Sequence, residues 1–389
     1  MGGFLGGTNI YQKLQAQKAA GQAVDLLFHD GLSARLLKLY DLTRDVTPQV
    51  KQQIAKYGNT YTNAQADLFL DNKWWGMPFH GRTGGYWYRM DRFANAGFTR
   101  EAGSFDTWEN VLQATRATTD PDHNFYTWGM TVNRSGDGES VTWDIIHSWG
   151  GALADESGQV VTLFSPETID AMTWLSDIYL NPANAPMLPP GVNAWDDFGN
   201  NTAWLAGQIG FSSNAGTMYA TSVANKTTLP EDPNTLLSEV TGLMPLPLGP
   251  FGIRLQGSGG MQFYFMNGGK NFDAAAQLAD FLLGGDVQPK LWQISSGYAI
   301  PSYENLWNDP IIVNNRIAQG FKPVHFNPNP STGVAYRGPF SEAADAVSQQ
   351  SIATDMIGEI LAGKPVIQAV RDNHLRCVEI FQSFGLKGR

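Results

Sequence analysis

Strand-like and helix-like segments alternate along this chain of 389 residues, which predicts an α/β protein. The length exceeds one ordinary domain, and a glycine-rich connector at 81–85 joins two strand-like runs. Two lobes are therefore expected, with the chain passing between them more than once. At 42% hydrophobic and 16% charged the chain can bury a sizeable core. A formal charge of −10 argues against nucleic acid or an anionic membrane as a general partner, since both call for a basic face. No apolar run approaches the roughly 18 residues of a membrane span. Cys377 stands alone, which excludes an intrachain disulfide and a cysteine-based zinc cage; no metal or cofactor is expected.

The elements follow in order. Residues 10–24 read as a helix, and Leu26-Leu27-Phe28 as a strand that stops at His29-Asp30-Gly31. A helix covers Leu32 to Tyr40. Trp74 to Phe79 reads as a strand leading through His80-Gly-Arg82 into the aromatic strand Tyr86-Trp-Tyr88. Asp106-Thr-Trp-Glu109 has the pattern of a capping box with Asp106 as N-cap. Tyr126 to Val132 is a strand, Ser140 to Ser148 a helix, and Ser165-Pro166 opens another helix. Gln208 to Phe211 is a strand leading to Asn214. Leu243 to Pro250 is extended, because each proline keeps its predecessor out of the helical region. Gly257-Ser-Gly-Gly260 leads into the strand Met261–Met266. Phe272 to Leu283 is a helix with Ala274, Leu278, Phe281 and Leu282 as its apolar set. Ile352 to Leu361 and Pro365 to Phe381 are the closing helices.

Five stretches, in order, resemble the extracellular solute-binding proteins of carbohydrate ABC importers, the group related to maltose-binding protein. These are Tyr11-Gln-Lys-Leu with Ala19–Asp25, then Gly76-Met-Pro78 with Tyr86-Trp-Tyr88 and Ala96-Gly97. Gly150-Gly-Ala-Leu with Gly158-Gln-Val160 and Leu205–Gly210 follow, and Pro245-Leu-Pro through Ser296-Gly-Tyr298 and Pro301-Ser302 come last. The resemblance spans about residues 10–385. It implies a type II periplasmic-binding-protein-like fold whose two lobes hold a ligand in the cleft between them and move on a hinge of crossing strands. Lobe 1 is assigned to 1–82 and 261–308, lobe 2 to 83–260 and 309–389. The resemblance also implies a carbohydrate ligand, a membrane permease as partner, a monomer, and a periplasmic or cell-surface location. Family members carry a strand, a helix and a second strand ahead of the point where this sequence begins. The opening Met1–Thr8 has no basic or apolar stretch and no lipid-acceptor cysteine.

Sugars present hydroxyl edges and apolar ring faces, so the candidate contacts are polar residues at strand ends and accessible aromatics. His29, Asp30, His80, Arg82 and Asn214 occupy strand ends. Asp30 also suits a turn or N-cap, and Arg82 an ion pair. Trp143, Trp195, Trp75 and Trp292 are the stacking candidates, whereas Trp87, Trp174 and Trp204 read as core. Gly259 and Gly260 suit close backbone approach, and Arg337 a loop near the ligand. Gly81, Gly84, Gly85 and the 257–260 run are the hinge candidates. Arg82, Arg254 and Arg337 together raise an acidic sugar as the sharper expectation. The rival class is a glycoside hydrolase, for which Asp196-Asp197 and Asp155-Glu156 are the available carboxylates. Neither a G-x-S-x-G elbow nor an H-E-x-x-H pair occurs.

Overall fold

A computed structural model describes residues 7–329 and 331–389; the opening of the chain up to residue 6 lies outside the described residues. Ten strands occur among them: β1 Leu26–His29, β2 Phe69–Leu70, β3 Lys73–Trp74, β4 Met77–Arg82, β5 Gly84–Arg89, β6 Tyr126–Trp128, β7 Ile209–Ala215, β8 Thr241–Met244, β9 Gly260–Phe265 and β10 Ala299–Pro301. The chain divides into two compact units. The first takes the chain up to Thr83, Gly257–Ser331 and Phe340–Gln350; the second takes Gly84–Gln256, Thr332–Pro339 and Ser351–Arg389. Residues 309–331 and 340–350 thus pack with the first unit, where the sequence assigned them to the second lobe. Side-chain contacts account for this. His325 stacks on Tyr61 at 4.2 Å, Arg35 lies over the Phe340 ring, and Asp345 accepts a 2.6 Å hydrogen bond from Ser33.

The first unit is built on a four-stranded sheet in the order β1-β9-β4-β10, with every neighbouring pair antiparallel. Phe263, Tyr264 and Phe265 on β9 are buried, as expected of a central strand covered on both faces. The helix Phe272–Leu283 has the expected bounds but buries a different stripe. Ala275, Ala279 and Leu283 face inward, while Leu278 and Phe281 are 49% and 66% exposed. Two apolar stripes run along this helix one residue apart, and the alanine stripe allows the closer approach to the core.

The second unit carries the sheet β6-β7-β5-β8, in which β6 and β7 are parallel and the other pairs antiparallel. Trp87, Trp128 and Phe211 fill its interior. The strand expected over Tyr126–Val132 stops at Trp128. The helix expected from Ser140 begins at Gly136, because the Ser135 hydroxyl accepts the Gly138 N–H at 2.9 Å and sets the start one turn earlier. Likewise Thr107, and not Asp106, caps the helix Trp108–Thr118 by accepting from the Asn110 N–H.

Four helices, Gly136–Ser148, Pro166–Leu180, Ile352–Leu361 and Val366–Ser383, pack together in this unit. Their junction is Glu139. Ser351, at the start of the third of these helices, has a positive φ of 55° and makes no side-chain cap. The buried Glu139 carboxylate supplies the missing acceptor from another helix: it takes the Ala353 N–H at 3.2 Å, the Thr354 N–H and hydroxyl at 3.0 Å each, and the Trp143 indole N–H at 2.9 Å. Burial pushes its pKa up, against the pull of these four donors. Three N–H groups converge on its two oxygens, which favours the ionised form against burial. The described residues contain no helix long and apolar enough to cross a membrane.

Removing this acceptor leaves two helix N–H groups and an indole buried without a partner. Glu139→Ala is expected to lower unfolding stability by about 3 kcal/mol, with Glu139→Gln close behind because its amide faces donors. Urea denaturation of both variants checks this, and a loss below about 1 kcal/mol would contradict the assignment.

Candidate functional site

Strand direction gathers the polar residues of the first unit. β9 is antiparallel to both β1 and β4, so those two strands run the same way and end at one edge. Asp30 therefore follows the end of β1 beside His80, Gly81 and Arg82 at the end of β4. Gly259 and Gly260 open β9 at that edge, with Gly260 opposite Gly81. Tyr298 immediately precedes β10, whose first residue, Ala299, pairs with Arg82.

The Asp30 side chain is 4% exposed and pairs with the Arg82 guanidinium, which is 32% exposed. A carboxylate so covered needs a cation beside it, and the guanidinium still reaches solvent. The Arg82 backbone N–H donates to the Gly259 carbonyl at 3.0 Å. A Cβ on Gly259 would lie 2.9 Å from Arg82 Nε, and one on Gly260 would lie 2.2 Å from the Tyr61 hydroxyl. Gly260 is thus required, with the His80 carbonyl also 2.7 Å from such a Cβ, whereas a Cβ on Gly259 would meet the movable end of Arg82. Gly81 is similarly closed in by His325. Of the expected hinge glycines, Gly85 has a positive φ, 139°.

His29 Nδ1 accepts the Gly31 N–H at 2.8 Å, which leaves its proton on Nε2 and makes the 3.8 Å approach to Asp30 a contact and not an ion pair. Burial lowers its pKa against the pull of Asp30. His80 donates from Nδ1 to the Gly81 carbonyl at 2.7 Å, and burial brings its pKa down to about 4. Under the rim, His325 donates from Nε2 to the Pro301 carbonyl at 3.0 Å and accepts the Ser258 hydroxyl on Nδ1 at 2.5 Å. Its pKa falls to about 3 for the same reason, burial. Tyr298, Tyr61 and His325 were not singled out from the sequence as site residues. The available signal was Tyr298's place just before the strand Ala299–Pro301.

Trp75 and Trp292 do not join this rim. Trp75 lies before the amino end of β4, at the opposite edge, with its indole N–H on the Leu70 carbonyl and Lys38 over its ring. Trp292 is 2% exposed, on the helix Val287–Ser295 packed by β10.

In the second unit, the end of β7, the start of β5 and the chain leaving β6 share one edge, since Asn214 pairs with Gly85 and β6 runs parallel to β7. Here Asp137, in the first turn of Gly136–Ser148, accepts amide N–H groups from Asn214 and Asn200 at 2.9 Å each. Its own N–H donates to Asp197 at 2.9 Å. Beneath it the Tyr86 hydroxyl donates to Asp144 at 2.8 Å, and burial lifts that carboxyl to about 7. Asp137 and Asn200 were missed in the sequence because only the fold brings them to Asn214. Trp195 is half-buried with its ring against Gly199, on a loop held by Thr131, whose hydroxyl donates to the Trp195 carbonyl at 2.6 Å. Trp143 is a core residue, 3% exposed and bound to Glu139, so its ring is closed to a ligand. Arg337 is exposed and donates to the Gly150 carbonyl at 3.1 Å. With Asp155, Glu167 and others it lines a cavity of about 510 Å³ that shares no lining residue with the Asp137 cluster.

A family model described as "bacterial extracellular solute-binding protein" matches residues 4–289. The chain belongs to this family. Among solved structures, this solute-binding protein is similar to maltose-bound MalE3 of T. maritima, with a TM-score of 0.74 at 18% identity over 97% of this chain and 88% of that one. It is also similar to an ABC transporter solute-binding protein of Agrobacterium radiobacter K84 in complex with ribitol (0.76, 18%, 97% and 89%). The GacH receptor of Streptomyces glaucescens, studied with acarbose, is a third (0.72, 16%, 96% and 87%). At these identities the likeness is one of fold, and it agrees with the two-lobed α/β class expected from the sequence. No curated protein matches the chain by sequence.

The neutral histidines give the first unit a pH signature. An unfolded histidine titrates near 6.5, whereas folded His325 does so at about 3. Unfolding therefore takes up a proton between these values, and the contribution, full above pH 6.5, is lost as pH falls toward 3. Asp144 acts with the opposite sign below about 7, so the informative quantity is a difference between proteins. Between pH 6.5 and 5, wild type should lose about 2 kcal/mol more than His325→Gln in urea unfolding; parallel curves would refute it.

Proposed function

We propose that this solute-binding protein is the substrate-binding component of an ABC importer, that it works outside the cytoplasmic membrane, and that its cargo is a neutral sugar or polyol handed to a membrane permease. The observation that carries the ligand class is the compensated Asp30–Arg82 pair at the strand-end rim of the first unit. Such a pair offers guanidinium donors beside a carboxylate whose charge is already met, which suits hydroxyl groups better than a second anion. The other two arginines weighed for an acidic ligand are directed to backbone carbonyls, Arg254 to Leu246 at 2.6 Å and Arg337 to Gly150. Within the second unit, Asp137, Asn200 and Asn214 provide another set of carboxylate and amide groups at strand ends. Structures of the same fold carrying maltose, ribitol and mannitol are consistent with this class.

Passive binding is favoured over hydrolysis by what the available acids do. Asp155 is the anchor of a turn, accepting from Ser157, Gln159 and Val160, and Asp197 accepts the Asp137 N–H. Both carboxylates are engaged in shaping the chain.

A thermal-shift screen followed by calorimetry tests the proposal, using neutral sugars, alditols and a uronate. Neutral members should raise the melting temperature, and Arg82→Ala should weaken the best of them by about 10- to 100-fold. Tightest binding of the uronate would overturn the neutral class; no response to any member, or turnover of a glycoside, would overturn the proposal itself.

A further inference from the structure

Asp30 stands just past β1, whose last residue, His29, pairs with Gln262. The ladder therefore stops short of the carboxylate that meets Arg82, and the next residue is Gly31, with the widest backbone freedom of any residue type. Hydrogen bonds to side chains restrain this turn instead. The Gly31 N–H goes back to His29 Nδ1 at 2.8 Å, and the Gly31 carbonyl accepts the Gln349 side-chain N–H at 3.1 Å. Further along, Ser33 donates its hydroxyl to Asp345 at 2.6 Å, and Arg35 reaches the same carboxylate at 3.3 Å. Asp345 lies in the helix Glu342–Ser348, and Gln349 is its C-cap. Spaced i and i+4, they share one face of that helix. Its buried apolar residues, Ala343, Ala344 and Val347, fall about half a turn away, so Gln349 is not part of the apolar packing. The helix belongs to Phe340–Gln350, which packs with the first unit although Thr332–Pro339 before it and Ser351–Arg389 after it pack with the second. This stretch thus brings to the first unit two side chains that bind the turn carrying Asp30.

We propose that Gln349 is a positioning residue for ligand binding: by holding the Gly31 carbonyl it fixes the Asp30 carboxylate, and through it the direction in which Arg82 presents its guanidinium. The proposal rests on the reading of the Asp30–Arg82 pair given above and adds the residue that sets it. An ion pair binds a hydroxyl group well only when its donors are already aimed, since ordering them on binding costs affinity. Gln349 touches Gly31 and acts on the ligand only through the pair. Asp345 holds the far side of the same turn through Ser33, so loss of Gln349 loosens Asp30 without releasing the whole segment.

Gln349→Met keeps the length of the side chain and removes its donor. Calorimetry with maltose, ribitol and mannitol should show it weakening the tightest of the three by about three- to tenfold, the span of one neutral hydrogen bond. In the Arg82→Ala background the same substitution should change affinity by less than about 1.5-fold, because the group it aims is gone. A merely structural role would weaken binding equally in both backgrounds. The unliganded Gln349→Met protein should melt within about 4 °C of wild type, so that the affinities compare folded proteins. A second readout needs neither ligand nor the Arg82 variant: exchange of the Arg82 guanidinium N–H protons, followed by NMR, should quicken by about threefold or more in Gln349→Met. Unchanged affinity, an equal loss in both backgrounds, or unchanged guanidinium exchange would overturn the positioning role and leave the carbohydrate reading standing. Wild type that binds none of the three would instead sink the carbohydrate reading for this panel, while guanidinium exchange still decides whether Gln349 holds the pair.

Discussion

Strand direction is the constraint on which the first unit's chemistry depends. With β9 antiparallel to both neighbours, β1 and β4 must finish at the same edge, and β9 must start there. Asp30, Arg82, His80 and the glycine pair 259–260 are far apart in sequence but have no other place to go. The same reasoning governs the second unit, where a parallel β6–β7 pair and an antiparallel β5 bring Asn214, Gly85 and the chain after Trp128 to one edge. A one-residue slip in either ladder would turn these side chains to the opposite face, so the register that buries Phe263 and Phe211 also sets the rims.

Each buried charge is then dealt with locally. Asp30 meets a guanidinium, Glu139 meets four donors, and Arg89, fully buried, is held by Asp91 and Glu231. The imidazoles follow another course. His80 and His325 give one N–H to a carbonyl and stay neutral, because burial withholds from a protonated ring the water it would need, and at His80 this outweighs the pull of Asp30. The consequence is a first-unit rim with compensated charge, in a chain whose formal charge is −10.

The alternation of elements and some of their ends were readable from local pattern. The helix Phe272–Leu283 has the bounds that hydrophobic period and turn residues indicate, and the strand expected over Leu26–Phe28 runs one residue further, through His29. What failed depended on partners distant in the chain. Asp106 has the capping-box spacing, but Thr107 holds the cap geometry, with extended backbone and its hydroxyl on the Asn110 N–H. Phe281 continues an apolar period, but a neighbouring stripe of alanines fits the core more closely. Asp137 and Asn200 carry no local mark at all, since their role exists only where β7 ends. The boundary near 308 was misplaced because the ring contact of His325 with Tyr61 joins positions 264 residues apart, which no window along the sequence can display.

Tryptophan pointed toward sugar stacking, yet five of the twelve serve another purpose. Trp87, Trp108, Trp128, Trp143 and Trp307 are all buried, and each donates its indole N–H to a carbonyl, hydroxyl or carboxylate. An indole brings a large apolar area together with one directed donor, which lets it fill a core while satisfying a polar group already trapped there. Trp87 shows the coupling most directly: its N–H holds the carbonyl of Asn214, whose side chain binds Asp137. Trp87 thus acts behind the edge of the second unit, fixing the backbone of Asn214.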